Sequence, residues 1–119
     1  MAVKGIGSDI VEVQRVARLR ERYGNRFLNK VFTRGEIAYC ESKPHPEVSF
    51  AGRFAAKEAI AKAVYQSGWE QVIPFSHIEI LNDVYGRPEV SFLLNIPGKC
   101  MVTISHERSM AVAFAVLEL

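Results

Sequence analysis

The sequence predicts an α+β fold in which N-terminal helices pack on a small antiparallel sheet. Apolar residues recur at helical spacing through much of the first 68 positions, whereas they alternate with polar residues in the last third of the chain. Turn-forming residues separate the alternating segments. The chain has 119 residues, of which 49% are hydrophobic and 24% are charged, so we expect one domain over residues 1–119 with a substantial core.

The first element is predicted to be a strand over residues 3–11, and a helix is predicted from Glu12 to Tyr23. Four apolar residues at helical spacing are expected to form a buried stripe: Val16, Leu19, Tyr23 and Phe27. Four arginines repeat nearly the same spacing and form a basic stripe beside it: Arg15, Arg18, Arg22 and Arg26. Gly24 and Asn25 are expected to interrupt the helix.

The middle of the chain is predicted to be helical and the end to be antiparallel. Thr33 and Glu36 have the spacing of a capping box, which predicts a short helix ending near residue 42. A long helix is predicted from about Val48 to Gly68, a residue type typical of helix ends. After it, alternating segments predict strands, with turn composition between them, at residues 78–80, 90–94, 102–106 and 110–117.

Composition and charge exclude several classes of protein. No apolar run approaches the roughly 20 residues needed to span a bilayer, and residues 1–13 lack the pattern of an export signal. Cys40 and Cys100 form no metal-ligand motif, so we interpret them as reduced thiols of a cytoplasmic protein. Residues 1–26 contain six basic residues against three acidic ones, which indicates an acidic partner: a protein, a nucleic acid or a membrane.

Two carboxylates occupy positions where a charge is costly. Asp9 interrupts an apolar strand, and Glu58 lies on the apolar face of the predicted long helix. If the strand packs on the helix, both could bind one Mg²⁺, a hard ion that prefers carboxylate, water and phosphate oxygens. The structural alternative is that Asp9 caps the following helix and that Glu58 pairs with Lys62 four residues later.

The same helix carries basic residues that could bind phosphate. Arg53 and Lys57 are one turn apart, and Lys62 lies one turn beyond Glu58. Cations that flank a metal-binding carboxylate suit a pyrophosphate-bearing substrate, although an exposed, solvated face would give the same pattern. Ser105 and His106 lack the carboxylate partner at a fixed spacing that a nucleophilic triad needs, so we do not interpret them as one.

Three blocks of sequence resemble one known family. They are GIGSDIVEVQR at 5–15, GRFAAKEAIAKA at 52–63 and VTISHERSMAVAFAVLE at 102–118, and IEILNDVYGRP at 78–88 is similar as well. In order and spacing these blocks resemble the holo-acyl-carrier-protein synthase family of phosphopantetheinyl transferases. Two features differ from the family pattern. Thr103 stands where many members have serine, and only nine residues separate Phe92 from Val102, where many members have a helix.

The resemblance implies an enzyme that transfers the 4′-phosphopantetheine moiety of coenzyme A to a serine of acyl carrier protein in fatty acid biosynthesis. The reaction would depend on Mg²⁺ and release 3′,5′-ADP. Asp9 and Glu58 would be the metal ligands, Lys62 would face the pyrophosphate, and Glu58 would either accept the serine proton or only hold the metal. The coenzyme A site would be lined by Arg53, Lys57, Gly86, Arg87, Pro88, Ser105 and His106.

The family is typically a homotrimer with each active site at a subunit interface, and the same is implied here. Its carrier protein docks on the basic first helix, which implies a docking role for Arg15, Arg18 and Arg22. Neither a nucleic acid nor a membrane is an implied partner. A small nucleic-acid-binding module would explain the arginine stripe but not Asp9 and Glu58. An interaction subunit of a larger synthase would explain the stripe but not the three blocks.

Overall fold

The computed structural model describes residues 2–119 and confirms the predicted α+β fold. The helices are α1 at Val13–Tyr23, α2 at Asn25–Val31, α3 at Arg34–Glu41 and α4 at Pro46–Gln66. The strands are β1 at Val3–Glu12, β2 at Ile78–Asn82, β3 at Pro88–Phe92, β4 at Lys99–His106 and β5 at Met110–Glu118. A single 3₁₀ turn, Phe75–His77, precedes β2.

The strands form two antiparallel sheets, and the first strand of the chain joins the last. One sheet has the order β1-β5-β4 and the other pairs β2 with β3. The sequence placed the antiparallel pairing in the last third only, so the pairing of β1 with β5 was not predicted. In this pairing Asp9 lies opposite Ala113, which itself lies opposite Ile104 on β4.

Two glycines of β1 allow α4 to pack directly on the three-stranded sheet. A Cβ atom at Gly5 would lie 1.9 Å from the carbonyl oxygen of Ala63, and one at Gly7 would lie 1.9 Å from that of Ala59. Such contacts are far inside van der Waals distance, so only glycine permits this approach. Asp9 continues the same face of β1 and therefore comes close to α4.

The buried face of α1 differs from the predicted stripe. Val13 and Val16 are buried, whereas Tyr23 is 44% exposed, so the prediction of a buried Tyr23 is wrong. Gly24, at φ +55°, ends α1 and starts α2. Because the chain changes direction there, Phe27 reaches the core from α2 and packs against Phe32 and Phe54.

The short and long helices form close to where they were predicted. Thr33 and Glu36 make the predicted capping box of α3. α4 begins two residues early because Pro46 occupies its first turn, a position that proline favours. This helix is buried on most sides, so it has no single apolar face. Cys40 and Cys100 are free thiols, and burial raises the pKa of each to about 11. Among residues 2–119, no helix is long and apolar enough to cross a membrane.

Candidate functional site

Asp9, Glu58 and Lys62 form a cluster where β1 meets α4, and we call it the carboxylate cluster. Lys62 Nζ donates to the backbone oxygen of Ser8 at 2.9 Å and lies 3.4 Å from Asp9 Oδ1. The N-cap residue of α1 is Glu12, so Asp9 does not cap that helix. Lys62 thus pairs across two elements with Asp9, which brings the first and second sequence blocks together.

The electrostatics of the cluster leave negative charge uncompensated. Burial, and next the charge of Asp9, raise the pKa of the Glu58 carboxyl, while Lys62 and Arg15 oppose the rise. A carboxylate whose ionisation is disfavoured by a neighbouring carboxylate favours a divalent cation, because the cation relieves the repulsion. Mg²⁺ commonly uses one or two carboxylates and keeps water or phosphate oxygens for its other positions. In residues 2–119 no group of three or more metal-ligating side chains exists, so a closed, all-protein metal site does not fit.

A cavity of about 270 Å³ lies between α4, β4 and the β2–β3 hairpin, and we call it the hairpin cavity. Four of the predicted coenzyme-site residues line it, and they come from three separate sequence segments: Arg53, Gly86, Pro88 and His106. Gly52 brings α4 close to β4, since a Cβ atom there would lie 3.0 Å from Ile104 Cγ2 and 3.7 Å from His106 Cδ2.

Arg53 supplies a buried cation at the wall of the hairpin cavity. Arg53 is only 6% exposed. Its guanidinium lies 4.4 Å from the ring centroid of Tyr39, and its Nη2 donates to Asn82 Oδ1. Arg53 Nε is buried without a hydrogen-bond partner. Within residues 2–119, no carboxylate lies within ion-pair distance of this guanidinium. A buried cation of this kind is costly unless an anion joins it.

The turn of the β2–β3 hairpin directs Arg87 away from the hairpin cavity. Asp83 Oδ1 accepts hydrogen bonds from the backbone N–H groups of Tyr85 and Arg87, and Arg87 Nε donates to Asp83 Oδ2 at 2.8 Å. Gly86 holds the turn at φ +82°, a conformation that favours glycine. Ser105 is exposed on the face of β4 opposite α4, so neither Ser105 nor Arg87 lines the hairpin cavity.

Lys57 does not lie at the cavity but in the core. It is fully buried, and Nζ lies 2.6 Å from Glu36 Oε1, 2.8 Å from the oxygen of Phe75 and 2.5 Å from the oxygen of Ile78. Burial lowers the pKa of its ammonium group, and the Glu36 carboxylate opposes this shift. The expectation that Lys57 lines a coenzyme site has no support in this geometry, and the alternative of an exposed charged face is wrong for Lys57.

A second, larger cavity of about 890 Å³ adjoins the hairpin cavity, with which it shares Tyr39, Ser49 and His106. Its walls include two cations, two histidines and two carboxylates: Lys43, Arg108, His45, His106, Glu47 and Glu107. Lys43 and His45 lie between the two helices predicted to end near residue 42 and to begin near Val48. Their role in a cavity depends on the loop folding over α4 beside the β4–β5 turn, which no local pattern indicates.

The basic stripe is exposed, as predicted. Arg15, Arg18 and Arg22 are on the surface of α1 and, with Leu19 and Tyr23, line a shallow groove of about 580 Å³. Arg15 also lies near enough to Glu58 to lower its pKa. The stripe therefore begins at the carboxylate cluster and runs away from it.

Sequence reasoning missed three residues that shape the site. Tyr39 stacks on Arg53, Asn82 accepts its hydrogen bond, and Glu36 is the buried partner of Lys57. The capping-box spacing identified Glu36 as a helix cap, but its second oxygen also accepts from Ile80 N–H at 2.8 Å. No spacing in the sequence indicates that second role, because Ile80 is 44 positions away.

Comparison with known proteins gives consistent matches along the chain. Residues 5–115 match the family model of the 4′-phosphopantetheinyl transferase superfamily. The chain is 45% identical over 117 residues to a holo-[acyl-carrier-protein] synthase of Protochlamydia amoebophila, covering 94% of this chain and 95% of that protein. Its structure is similar to a holo-(acyl-carrier-protein) synthase from Bacillus anthracis in complex with CoA (3′,5′-ADP), with a TM-score of 0.81, 32% identity and coverage of 98% and 96%. It is also similar to the Helicobacter pylori holo-[acyl-carrier-protein] synthase in complex with coenzyme A, with a TM-score of 0.83, 30% identity and coverage of 95% and 99%.

Proposed function

The chain belongs to the 4′-phosphopantetheinyl transferase superfamily, and within it to the holo-[acyl-carrier-protein] synthases, and from this premise we propose its reaction in detail. The enzyme transfers the 4′-phosphopantetheine moiety of coenzyme A to a serine of apo-acyl carrier protein and releases 3′,5′-ADP. The reaction depends on Mg²⁺. The proposal also includes a role in fatty acid biosynthesis, which rests on family resemblance, and a cytoplasmic setting, which rests on the interpretation of Cys40 and Cys100 as reduced thiols.

The observation that carries the coenzyme part of the proposal is the buried Arg53. Its guanidinium faces the hairpin cavity, has an unused N–H donor and lacks an anionic partner among residues 2–119. A phosphate group of coenzyme A would supply the missing charge and accept the free donor. The adjoining larger cavity has room for further phosphate oxygens, and its walls carry Lys43 and Arg108 together with Glu47 and Glu107.

Asp9 and Glu58 are the residues that would hold Mg²⁺. Their mutual repulsion and their oxygen donors fit this ion, whose ligand shell substrate phosphate and water would complete. When bound, Mg²⁺ stabilises negative charge on the pyrophosphate oxygens. Lys62, beside Asp9, contributes an ammonium group that neutralises the charge developing on the 5′-phosphate of the leaving 3′,5′-ADP.

The bond changes assign a further role to Glu58. The carrier serine oxygen forms a bond to the β-phosphorus of coenzyme A, and the bond from that phosphorus to the bridging oxygen of 3′,5′-ADP breaks. The serine proton needs an acceptor. Glu58 is a partly exposed carboxylate beside the basic helix, and it accepts this proton directly or through water. General-base assistance of this kind contributes about 10²–10⁴ in rate.

We propose that the site is shared between copies of the chain. α4 crosses the sheet from β4, which Gly52 approaches, to β1, which Ala59 and Ala63 approach. The hairpin cavity therefore lies on the β4 side of α4 and the carboxylate cluster on the β1 side. Asp9 and Ile104 are two strand spacings apart, about 10 Å. The family resemblance implies that two such parts, contributed by two neighbouring chains, form one active site.

The outer face of the three-stranded sheet supports such an assembly. It carries four large apolar side chains that are 47–61% exposed: Ile6, Ile10, Met101 and Phe114. A groove of about 510 Å³ on this face runs from Phe114 to Lys62, so a docked copy would reach the carboxylate cluster. Exposed apolar patches of this kind mark protein interfaces. The family resemblance indicates a homotrimer.

Assembly is testable by light scattering with an interface variant. Phe114→Glu places a charge in the apolar face and should yield inactive monomers of about 13.4 kDa. Val72→Glu is the matched control, since Val72 is 81% exposed in a loop outside this face and the variant should remain oligomeric. A fully active monomeric wild type would contradict the shared site.

The basic stripe on α1 completes the proposal as the docking surface for acyl carrier protein. Arg15, Arg18 and Arg22 are exposed on one helix, so an acidic helix could contact them together. Because Arg15 lies near Glu58, a partner on this surface is adjacent to the proposed chemistry.

Mass spectrometry of apo-acyl carrier protein tests the overall reaction. Incubation with this enzyme, coenzyme A and Mg²⁺ should add one phosphopantetheine group to the carrier. The gain should disappear with a chelator, without coenzyme A, or when the carrier serine is replaced by alanine. An unmodified carrier under saturating Mg²⁺ and coenzyme A would refute the proposed function.

A further inference from the structure

The buried Lys57–Glu36 pair has no remaining capacity to bind a ligand. The ammonium group of Lys57 has three N–H donors, and Glu36, Phe75 and Ile78 provide one acceptor each. Both side chains are fully buried. A coenzyme phosphate could contact Lys57 only after displacing one of these partners and opening the core.

Together the pair binds the backbone of β2 along the edge that faces away from β3. Lys57 Nζ donates to the oxygen of Ile78, and Glu36 Oε2 accepts from the N–H of Ile80. Successive residues of an antiparallel strand direct their backbone groups to opposite edges, so residues two apart share an edge. Ile78 and Ile80 are alternate residues, so the two side chains occupy the place of a third strand beside β2.

The far end of β2 forms the wall of the hairpin cavity. Asn82, the last residue of β2, accepts from Arg53 Nη2 and donates to the backbone oxygen of Gly86 at 2.8 Å. Arg53 and Lys57 are one turn apart on α4, so this helix contacts β2 at two points. The first point is the buried pair and the second is the Arg53–Asn82 bond in the cavity.

We propose that the Lys57–Glu36 pair is a positioning device that fixes the β2–β3 hairpin on α4, so that Asn82 and Gly86 hold Arg53 in the geometry that binds coenzyme A. Lys57 is thus a positioning residue that acts through Asn82 and Arg53, and it does not contact the coenzyme. The inference rests on the proposed coenzyme A site at the hairpin cavity. It replaces the ligand role that the sequence resemblance implied for Lys57.

A double variant tests the device with the least damage to the fold. Lys57→Met with Glu36→Gln removes both charges, so neither is left buried alone. At temperatures well below its melting point, this variant should bind coenzyme A at least tenfold more weakly in calorimetry. Its KM for coenzyme A should rise while its KM for acyl carrier protein stays unchanged, because α1 is not part of the network.

Leu117→Ala is the matched control for lost stability. Leu117 is buried on β5, outside the hairpin, so its truncation should lower the melting temperature and leave the dissociation constant for coenzyme A unchanged. A purely structural role for Lys57 and Glu36 predicts the same result for the double variant. A folded double variant with wild-type affinity for coenzyme A would therefore overturn the inference.

Arg53→Met separates this inference from the proposed site itself. If Arg53→Met weakens coenzyme A binding and the folded double variant does not, the positioning role fails and the site stands. If neither variant weakens binding, both proposals fail. If both weaken it, with the control unchanged, both are supported.

Hydrogen exchange on the wild-type protein provides a result even if the double variant does not fold. The Ile80 amide should be strongly protected at the strand edge, and coenzyme A should slow its exchange by at least a further threefold. Exchange at the rate of an unbonded amide, or no change with coenzyme A, would overturn the inference.

Discussion

Lys57 and Glu58 are neighbours in sequence, yet Lys57 belongs to one lysine–carboxylate pair and Glu58 lies beside another, whose environment is the opposite. Lys57 and Glu36 are 2.6 Å apart, and both side chains are 0% exposed. Beside Glu58, Lys62 and Asp9 are 3.4 Å apart, with side chains 54% and 20% exposed. The first pair, which we call the closed pair, has all its ammonium donors satisfied within the protein. The second, which we call the open pair, lies beside an additional carboxylate.

The difference separates residues that maintain the fold from residues that can bind a ligand. A buried pair cannot lose one partner without leaving an uncompensated charge in a low-dielectric interior. At the open pair, solvent screens the charges and leaves the contact itself with little effect on stability. Glu58 adds a second carboxylate beside this pair, and the two carboxylates are available to a metal ion. Stability and catalysis should therefore respond to different members of one short stretch of α4.

The largest expected effect is on stability when the closed pair is broken. Lys57→Met should lower the free energy of unfolding by about 3–5 kcal/mol, because Glu36 is left buried without its cation. Lys62→Met is the matched control at the open pair and should cost less than about 1 kcal/mol. Urea denaturation measures both values. Equal losses for the two variants would remove the distinction between the pairs.

The next effect is on catalysis at the open pair. Asp9→Ala or Glu58→Ala should lower activity in limiting Mg²⁺ by about 10–100-fold, because each removes one charge from the proposed metal site. The unfolding free energy should change little, since Glu58 is only partly buried.

Glu70→Gln is a suitable control for that experiment, because it removes an exposed carboxylate outside the carboxylate cluster. It should have wild-type activity at every Mg²⁺ concentration. If Asp9→Ala or Glu58→Ala also transfers at the wild-type rate, the metal assignment is wrong.

The comparison also shows which features the sequence could predict. The open pair and the neighbouring Glu58 could be proposed from sequence for two reasons. Asp9, Glu58 and Lys62 all lie in blocks that resemble the family, and a carboxylate in an apolar strand is unusual. The closed pair could not be identified as such, since its partners come from α3, α4 and β2. In sequence, Lys57 looks like another basic residue of a phosphate-binding helix. Only the packing of the hairpin against α4 shows that it faces the core.

The same limit applies to the fold. Helix and strand positions follow from local periodicity and from caps such as Thr33 and Glu36, so most were predicted to within about two residues. α2 was not predicted as a separate helix, and β4 begins at Lys99, three residues before its predicted start. The pairing of β1 with β5 joins segments about 100 residues apart and depends on the whole fold. Gly5 and Gly7 belong to the first block that resembles the family. Their role in the close approach of α4 could not be predicted, because it depends on where that helix packs.

A smaller effect is expected at the basic stripe, which extends the open region along α1. Arg18→Glu should raise KM for acyl carrier protein roughly fivefold, about 1 kcal/mol, because exposed charges mainly influence encounter. Affinity for coenzyme A should not change, and salt should slow the wild-type reaction. Arg18 is preferable to Arg15, which also influences Glu58.

Lys30→Glu is the control for charge reversal, because Lys30 lies on α2 outside the stripe. Steady-state kinetics should show an unchanged KM for both substrates. Equal losses for Arg18→Glu and Lys30→Glu would mean that net charge, and not a docking surface, controls the reaction with the carrier.

The smallest effect is the pH dependence of stability at Glu58 in protein freed of metal by a chelator. Folding raises the pKa of Glu58 above its ordinary value of 4.5, mainly through burial and then through the charge of Asp9. Folding therefore favours the protonated form. Its contribution to stability is complete below pH 4.5 and is lost as the pH rises through the folded-state pKa. Glu58→Gln cannot ionise, so urea denaturation should show it becoming more stable relative to wild type as the pH rises over that interval. Saturating Mg²⁺ should reverse the difference, because it binds the ionised carboxylate of the wild type. Parallel stability curves for the two proteins between pH 4 and pH 7 would show that neither burial nor the charge of Asp9 disfavours the ionisation of Glu58.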